Sequence, residues 1–157
     1  MRAASFAVLS LLAAQLAHAA VSCTVSATGP AFGVYNPLSG TPTYANGTVT
    51  ATCTLLSGGT TTVSLVSSYS TGASGIYSNR TMLSGASLLN YNLYYDAGYT
   101  QIRGNGTGGS QTGSASITLT PGNPTGQAQG TIYGRILAGQ DVPAGSYLDT
   151  IVVTVTY

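Results

Sequence analysis

Along most of the chain, apolar and polar residues alternate with a period of two, in short stretches set apart by clusters of Gly, Pro, Asn and Ser. Successive side chains of an extended strand point to opposite faces, so this is strand periodicity. The final stretch is the plainest case. Ile151, Val153, Val155 and Tyr157 fall on one face, and Val152, Thr154 and Thr156 on the other. β-Branched and aromatic residues fit a pleated, half-buried surface, and residues 146–157 are predicted as one strand. Residues 48–55 alternate as cleanly, with Val49, Ala51, Cys53 and Leu55 together. Further strands are predicted over 61–67, 88–96, 114–120 and 131–137. A first strand over 23–27 and 32–35 is broken at Gly29-Pro30. No stretch sustains helical periodicity. The expectation is a single all-β domain of about six to seven strands, within the range of a sandwich of immunoglobulin type.

A domain that closes on such a strand has no later segment to cover its edge. The row of unpaired N–H and C=O groups is then a template for pairing with another chain. Assembly through strand exchange is expected, with Ile151, Val153, Val155 and Tyr157 as the candidate contact residues.

Residues 1–19 read as an export signal. Arg2 gives a positive start, residues 6–16 are largely apolar, and Ala17-His18-Ala19 has the small-x-small pattern of a cleavage site. The apolar run is shorter than the roughly 20 residues that span a bilayer. Residues 20–157 are therefore expected as the exported domain. Charge then changes the picture. Beyond the signal, Arg80, Arg103 and Arg135 balance Asp96, Asp141 and Asp149, with no Lys, Glu or His. Ordinary soluble domains carry about a quarter charged residues. A neutral surface offers no electrostatic footprint for nucleic acid or anionic lipid, and it does little to oppose self-association. Neither a nucleic-acid partner nor membrane insertion is expected.

The two cysteines, Cys23 and Cys53, would meet an oxidising compartment after export, and a disulfide between them is expected to tie the first strand to the second. As a metal site, two thiols without a His leave the usual tetrahedral set incomplete. No metal or cofactor is expected. Catalytic chemistry has little to work with: beyond the signal no His, Lys or Glu is present to act as a base, and the three aspartates lie in unrelated segments. The Gly-rich stretch 104–113 is neither followed by a Lys nor continued into a helix, so it reads as a surface loop and not a phosphate cradle. Tyr91, Tyr94, Tyr95 and Tyr99 are expected in core and rim packing. An aromatic contact patch is the sharper alternative, with Tyr99, Gln101 and Arg103 as its exposed contributors. Arg135, in a strand beside Tyr133, is expected to stack or to pair with an Asp from the turn, and Asp149 to fix a turn or hydrogen-bond backbone amides.

Several blocks recur in an informative order. Phe32-Gly33-Val34-Tyr35-Asn36-Pro37 follows a Cys near the expected mature start. After Cys53 come Arg80-Thr81-Met82, Leu89-Asn90-Tyr91-Asn92-Leu93-Tyr94-Tyr95-Asp96, Tyr133-Gly134-Arg135-Ile136, Gln140 and Gly145-Ser146-Tyr147-Leu148-Asp149-Thr150. Over essentially the whole exported chain this resembles the spore coat protein U domain family, which includes the pilin subunits of archaic chaperone–usher pili. The resemblance implies an incomplete immunoglobulin-like β-sandwich lacking its final strand. It implies a periplasmic chaperone that lends a strand to the open groove, an usher, and a neighbouring pilus subunit whose amino-terminal extension later replaces the chaperone. It also implies export through the periplasm to a cell-surface pilus.

One departure bears on the role. With cleavage after Ala19, only Ala20, Val21 and Ser22 precede Cys23, whereas a donor strand needs about 5 residues. The expectation is an acceptor without its own donor strand, at a fibre tip or as a cap, in adhesion or biofilm formation. The rival expectation is a self-complete secreted coat or matrix protein, or a carbohydrate-binding module, with residues 32–35 beside the last strand.

Overall fold

The computed structural model describes residues 19–157; apart from Ala19, the expected export signal lies outside the described residues. In chain order the strands are β1 (Ala20–Thr28), β2 (Thr43–Ser57), β3 (Thr61–Tyr69), β4 (Arg80–Ser84), β5 (Ser87–Tyr94), β6 (Gly113–Leu119), β7 (Thr125–Ile136) and β8 (Val153–Thr156). One sheet runs β1-β2-β7-β5-β4 and faces a second that runs β6-β3-β8. All of the pairings are antiparallel. The expected all-β sandwich is therefore present, with its two sheets unequal in width.

The period-two pattern sorts the faces. Val49, Ala51, Cys53 and Leu55 of β2 are buried between the sheets, while Thr48, Thr50, Thr52 and Thr54 point outward. β7 keeps its early inner face small, with Gly126, Ala128 and Gly130. A side chain at Gly126 would collide with Ile117 of β6, so the glycine is what lets the second sheet seat closely there. The interior divides into two clusters. One gathers Cys53, Leu55, Leu65, Ile117 and Leu119, and the other gathers Tyr69, Met82, Leu89, Tyr91, Leu93 and Ile136.

Three elements differ from expectation. β4 was not anticipated, because a polar Arg80-Thr81 start hides its pattern. Residues 32–35 form no strand. The final strand is short: of 146–157, only Val153–Thr156 pairs, and it does so with β3. β3 ends at Tyr69, opposite Val153. Only the Ser70 backbone N–H to Val152 carbonyl bond, 2.9 Å, and the Val152 N–H to Ser70 Oγ bond, 2.9 Å, extend the contact. A strand cannot outrun its partner, so the preceding residues become a strap. The strap is tied to β4 by reciprocal Leu83–Leu148 backbone bonds of 2.8 and 3.0 Å.

Cys23 and Cys53 are joined as a disulfide and sit directly opposite one another in the β1–β2 ladder. The closed loop spans a separation of 30 residues, for which the chain-entropy model gives about 3–4 kcal/mol. The variant with both Cys23→Ser and Cys53→Ser is expected to lose about that much stability in denaturant unfolding. Unchanged stability would show that the ladder alone holds β1.

Candidate strand-acceptor groove

Between the end of β1 and β8 the sandwich does not close. A cleft of about 980 Å³ opens there, floored by Met82, Leu89, Tyr91, Leu93, Ile132 and Ile136 from the inner face of the wide sheet. One lip is the segment that follows β1, carrying Pro30, Phe32 and Tyr35; the other is the strap from Val142 to Ile151, continued by Val153. β8 is hydrogen-bonded to β3 along one side, and its other edge has no strand partner among the described residues.

The first lip is held in place by what the floor lacks. A Cβ on Gly134 of β7 would lie 2.7 Å from the Phe32 ring and 2.9 Å from Pro30 Cβ. Only glycine admits the segment this close, and the Phe32 ring then meets Tyr91 edge-on at 6.0 Å. The Tyr35 hydroxyl donates to the Leu137 carbonyl at 3.1 Å and accepts from Gln140 N–H at 2.8 Å. The Gln140 side chain in turn pairs with β5, accepting from Asn90 N–H and donating to its carbonyl, both at 2.8 Å. Asp149 anchors the second lip. Its carboxylate accepts from Ala73 N–H at 2.9 Å, Thr150 N–H at 2.8 Å and the Tyr91 hydroxyl at 2.7 Å. Burial, together with the Asp149 charge, pushes the Tyr91 hydroxyl far above its ordinary range, so it stays a donor. Of the two roles expected of Asp149, it hydrogen-bonds backbone amides and fixes no turn of its own.

The four sequence-selected contact residues separate. Ile151 and Val153 line the groove. Val155 leaves it and rests against the second core cluster. Tyr157 is 62 % exposed, and its hydroxyl accepts from Cys23 N–H at 3.4 Å, reaching across to β1 at the narrow end of the gap. Phe32, Tyr35, Val142 and Tyr147 also face the cleft. Phe32, Tyr35 and Tyr147 fall within strands expected from the sequence but outside the expected contacts, and none of the four sits in a strand.

Two arginines stiffen the structure beneath the floor. Arg80, fully buried, donates to the Ser70 carbonyl at 2.9 Å, the Arg103 carbonyl at 2.7 Å and Asn92 Oδ1 at 2.6 Å. Burial lowers its guanidinium from the ordinary value. Arg103, also buried, donates to the Thr131 carbonyl at 2.6 Å and the Tyr69 hydroxyl at 3.1 Å, and lies over the Tyr69 and Tyr95 rings. The expectation that Arg103 contributes to an exposed patch is corrected: carbonyls and rings from both sheets enclose it. Arg135 stacks as expected, over Tyr94 and Tyr99 at 4.8 and 5.5 Å.

Comparison with known proteins adds three findings. The Spore Coat Protein U domain family matches residues 8–154. Protein U of Myxococcus xanthus is 32% identical over 133 residues, which is 80% of this chain and 70% of that protein. A crystallised chaperone–tip adhesion subunit pre-assembly complex, from the archaic chaperone–usher Csu pili of Acinetobacter baumannii, shares the fold with a TM-score of 0.53 and 20% identity. That match covers 87% of this chain and 40% of the solved chain, so the chain spans well under half of that neighbour's length.

Replacing Arg80 with Met would leave Ser70 O and Arg103 O without this donor and Asn92 Oδ1 with only the Leu93 N–H. An unsatisfied buried group costs roughly 1–3 kcal/mol. Arg80→Met is therefore expected to destabilise the exported chain by about 3 kcal/mol or more in denaturant unfolding. A loss below about 1 kcal/mol would mean that water replaces the guanidinium.

Proposed function

The chain belongs to the Spore Coat Protein U domain family, and on that premise we propose that it is a non-enzymatic subunit of a chaperone–usher surface fibre that accepts a donor strand in its open groove. The observation that carries this reading is the unpaired edge of β8 beside an apolar cleft. An added strand would satisfy the β8 backbone groups, while alternate side chains would fill the space above Met82, Tyr91 and Ile136. A periplasmic chaperone occupies the groove first and a neighbouring subunit later. The chain thus travels through the periplasm to the cell surface, where the fibre serves adhesion and biofilm formation. The shared fold with a subunit solved in complex with its chaperone supports this order of partners.

An acceptor role at the tip or as a cap is supported by β1. With the expected cleavage after Ala19, the residues ahead of Cys23 are Ala20, Val21 and Ser22, and these are engaged in the β1–β2 ladder. The rival of self-completion by residues 32–35 is disfavoured, because that segment lies over Gly134 and makes no ladder with β8 among the described residues.

The test is periplasmic expression with and without the chaperone, followed by sizing and thermal unfolding. A one-to-one complex with the chaperone, and loss of the chain without it, is expected. Ile151→Asp or Val153→Asp places a charge against the apolar floor, which costs several kcal/mol, and is expected to cut the recovered complex by about tenfold or more. A stable monomer made alone, unfolding cooperatively, would overturn the acceptor reading.

A further inference from the structure

The outer face of the wide sheet, turned away from the groove, carries a regular lattice of uncharged hydrogen-bonding groups. Thr50, Thr52 and Thr54 of β2 stand opposite Gln129, Gln127 and Thr125 of β7. Gln127 Nε2 donates to Thr52 Oγ1 at 3.1 Å and Gln129 Nε2 to Thr50 Oγ1 at 3.3 Å. β1 continues the rows with Ser22, Thr24 and Ser26, in register with Thr54, Thr52 and Thr50. Rows repeat about 6.8 Å along a strand and about 4.8 Å across strands.

At one end the lattice gives way to tyrosine rings. Tyr44 and Tyr133 project from the same face, and the loop after β5 folds Tyr99 over them. Its ring centroid lies 4.7 Å from that of Tyr44 and 6.3 Å from that of Tyr133. Tyr44 stays 50 % exposed. This placement is not free of strain. Tyr99, with φ of 56°, is the one non-glycine residue in the left-handed region among the described residues. Asp96 closes the loop that holds it there, accepting from Gln101 N–H at 2.7 Å and from Thr100 Oγ1 at 2.9 Å. Beneath the rings, Arg135 Nε is buried with no hydrogen-bond partner among the described residues. A strained residue and an orphaned donor at one spot mark a candidate functional surface.

We propose that this face binds a neutral polysaccharide, with Tyr44 and Tyr99 stacking on sugar rings and the Thr and Gln rows hydrogen-bonding along the polymer. The chemistry selects this occupant over others. Arg135, the charged side chain on the face, is already covered by the Tyr94 and Tyr99 rings, so a polyanion has no free cation to meet. A protein partner needs an apolar centre to its interface, which the Thr and Gln rows do not supply. A neutral glycan presents apolar ring faces and dense hydroxyls together, matching the two halves of the surface. The inference is independent of the groove, which opens on the other side of the sheet.

The experiment measures depletion of the purified chain, in the form in which it leaves the periplasm, by microcrystalline cellulose and by chitin, with soluble dextran and the polyanion alginate in parallel. Retention on at least one neutral glycan is expected, and it should persist at about 1 M salt, where charge attraction is screened. Tyr44→Ala and Tyr99→Ala should each weaken binding about tenfold, as loss of an aromatic anchor does. Gln127→Glu with Gln129→Glu should weaken it through the lattice. Each variant should still fold, as judged by its thermal transition. Thr118→Ala, exposed on β6 of the other sheet, should leave glycan retention unchanged. Binding to alginate alone, no retention on any neutral glycan, or retention untouched by Tyr44→Ala and Tyr99→Ala would overturn the proposal.

Discussion

A strand extends only as far as a neighbour satisfies its backbone, and among the described residues β8 has a neighbour along one edge only. The consequences run through the whole molecule. β3 stops at Tyr69, so β8 is limited to four residues. A five-stranded sheet is left facing a three-stranded one, and the inner side chains of β5 and β7 have too little sheet above them. Met82, Tyr91 and Ile136 are buried, yet they are roofed by loop residues such as Phe32 and Tyr147, not by a strand. The groove is the space that this shortage leaves.

The two lips hold their positions through polar bonds of the side chains, and nearly all of those bonds avoid charge pairing. Gln140 mimics a strand partner by bonding both the N–H and the carbonyl of Asn90. Asp149 binds a tyrosine hydroxyl and backbone amides. Below them, Arg80 and Arg103 spend their donors on carbonyls, a hydroxyl and an amide oxygen, with aromatic rings beside them. A buried guanidinium needs its donors met, and carbonyl dipoles and ring faces meet them when carboxylates are scarce. Because these bonds cross from one sheet to the other, the floor is braced independently of whatever fills the gap above it.

The parts of this arrangement that follow period-two alternation were legible in the sequence. β3, β5 and β6 fall where the pattern places them, β2 and β7 contain the expected stretches but begin earlier, at Thr43 and Thr125, and the cysteine pair forms the expected bridge. Ile151 and Val153 face inward as the last stretch indicates. The reading failed where contacts decide the outcome. Residues 146–152 carry strand-like residues, but among the described residues their backbone pairs only with Leu83 and Ser70, too little for a ladder, so tertiary context overrides propensity. Phe32 packs into the interior because Gly134, about a hundred positions away, leaves room for it, and no local pattern reports that. Arg103 was placed at the surface, in the aromatic-patch alternative, because it lies in the loop that follows the aromatic strand. Its burial depends on acceptors contributed by β3, β5 and β7, which a linear chain does not display.

The wide sheet thus presents two faces of opposite chemistry from a single alternation. Moving one residue along β2 or β7 changes the environment from the buried apolar interior to the outer rows of Thr and Gln. The inner face is incomplete and hydrophobic, and what it lacks is a backbone partner with apolar side chains. The outer face pairs Gln with Thr across its rows and is uncharged apart from Arg135, so shape and hydroxyl chemistry govern what it contacts. A register slip of one residue would exchange the two faces and destroy both. The Cys23–Cys53 bridge fixes β1 to β2 at a directly opposed pair. The same covalent link therefore keeps the groove wall and the outer lattice in register.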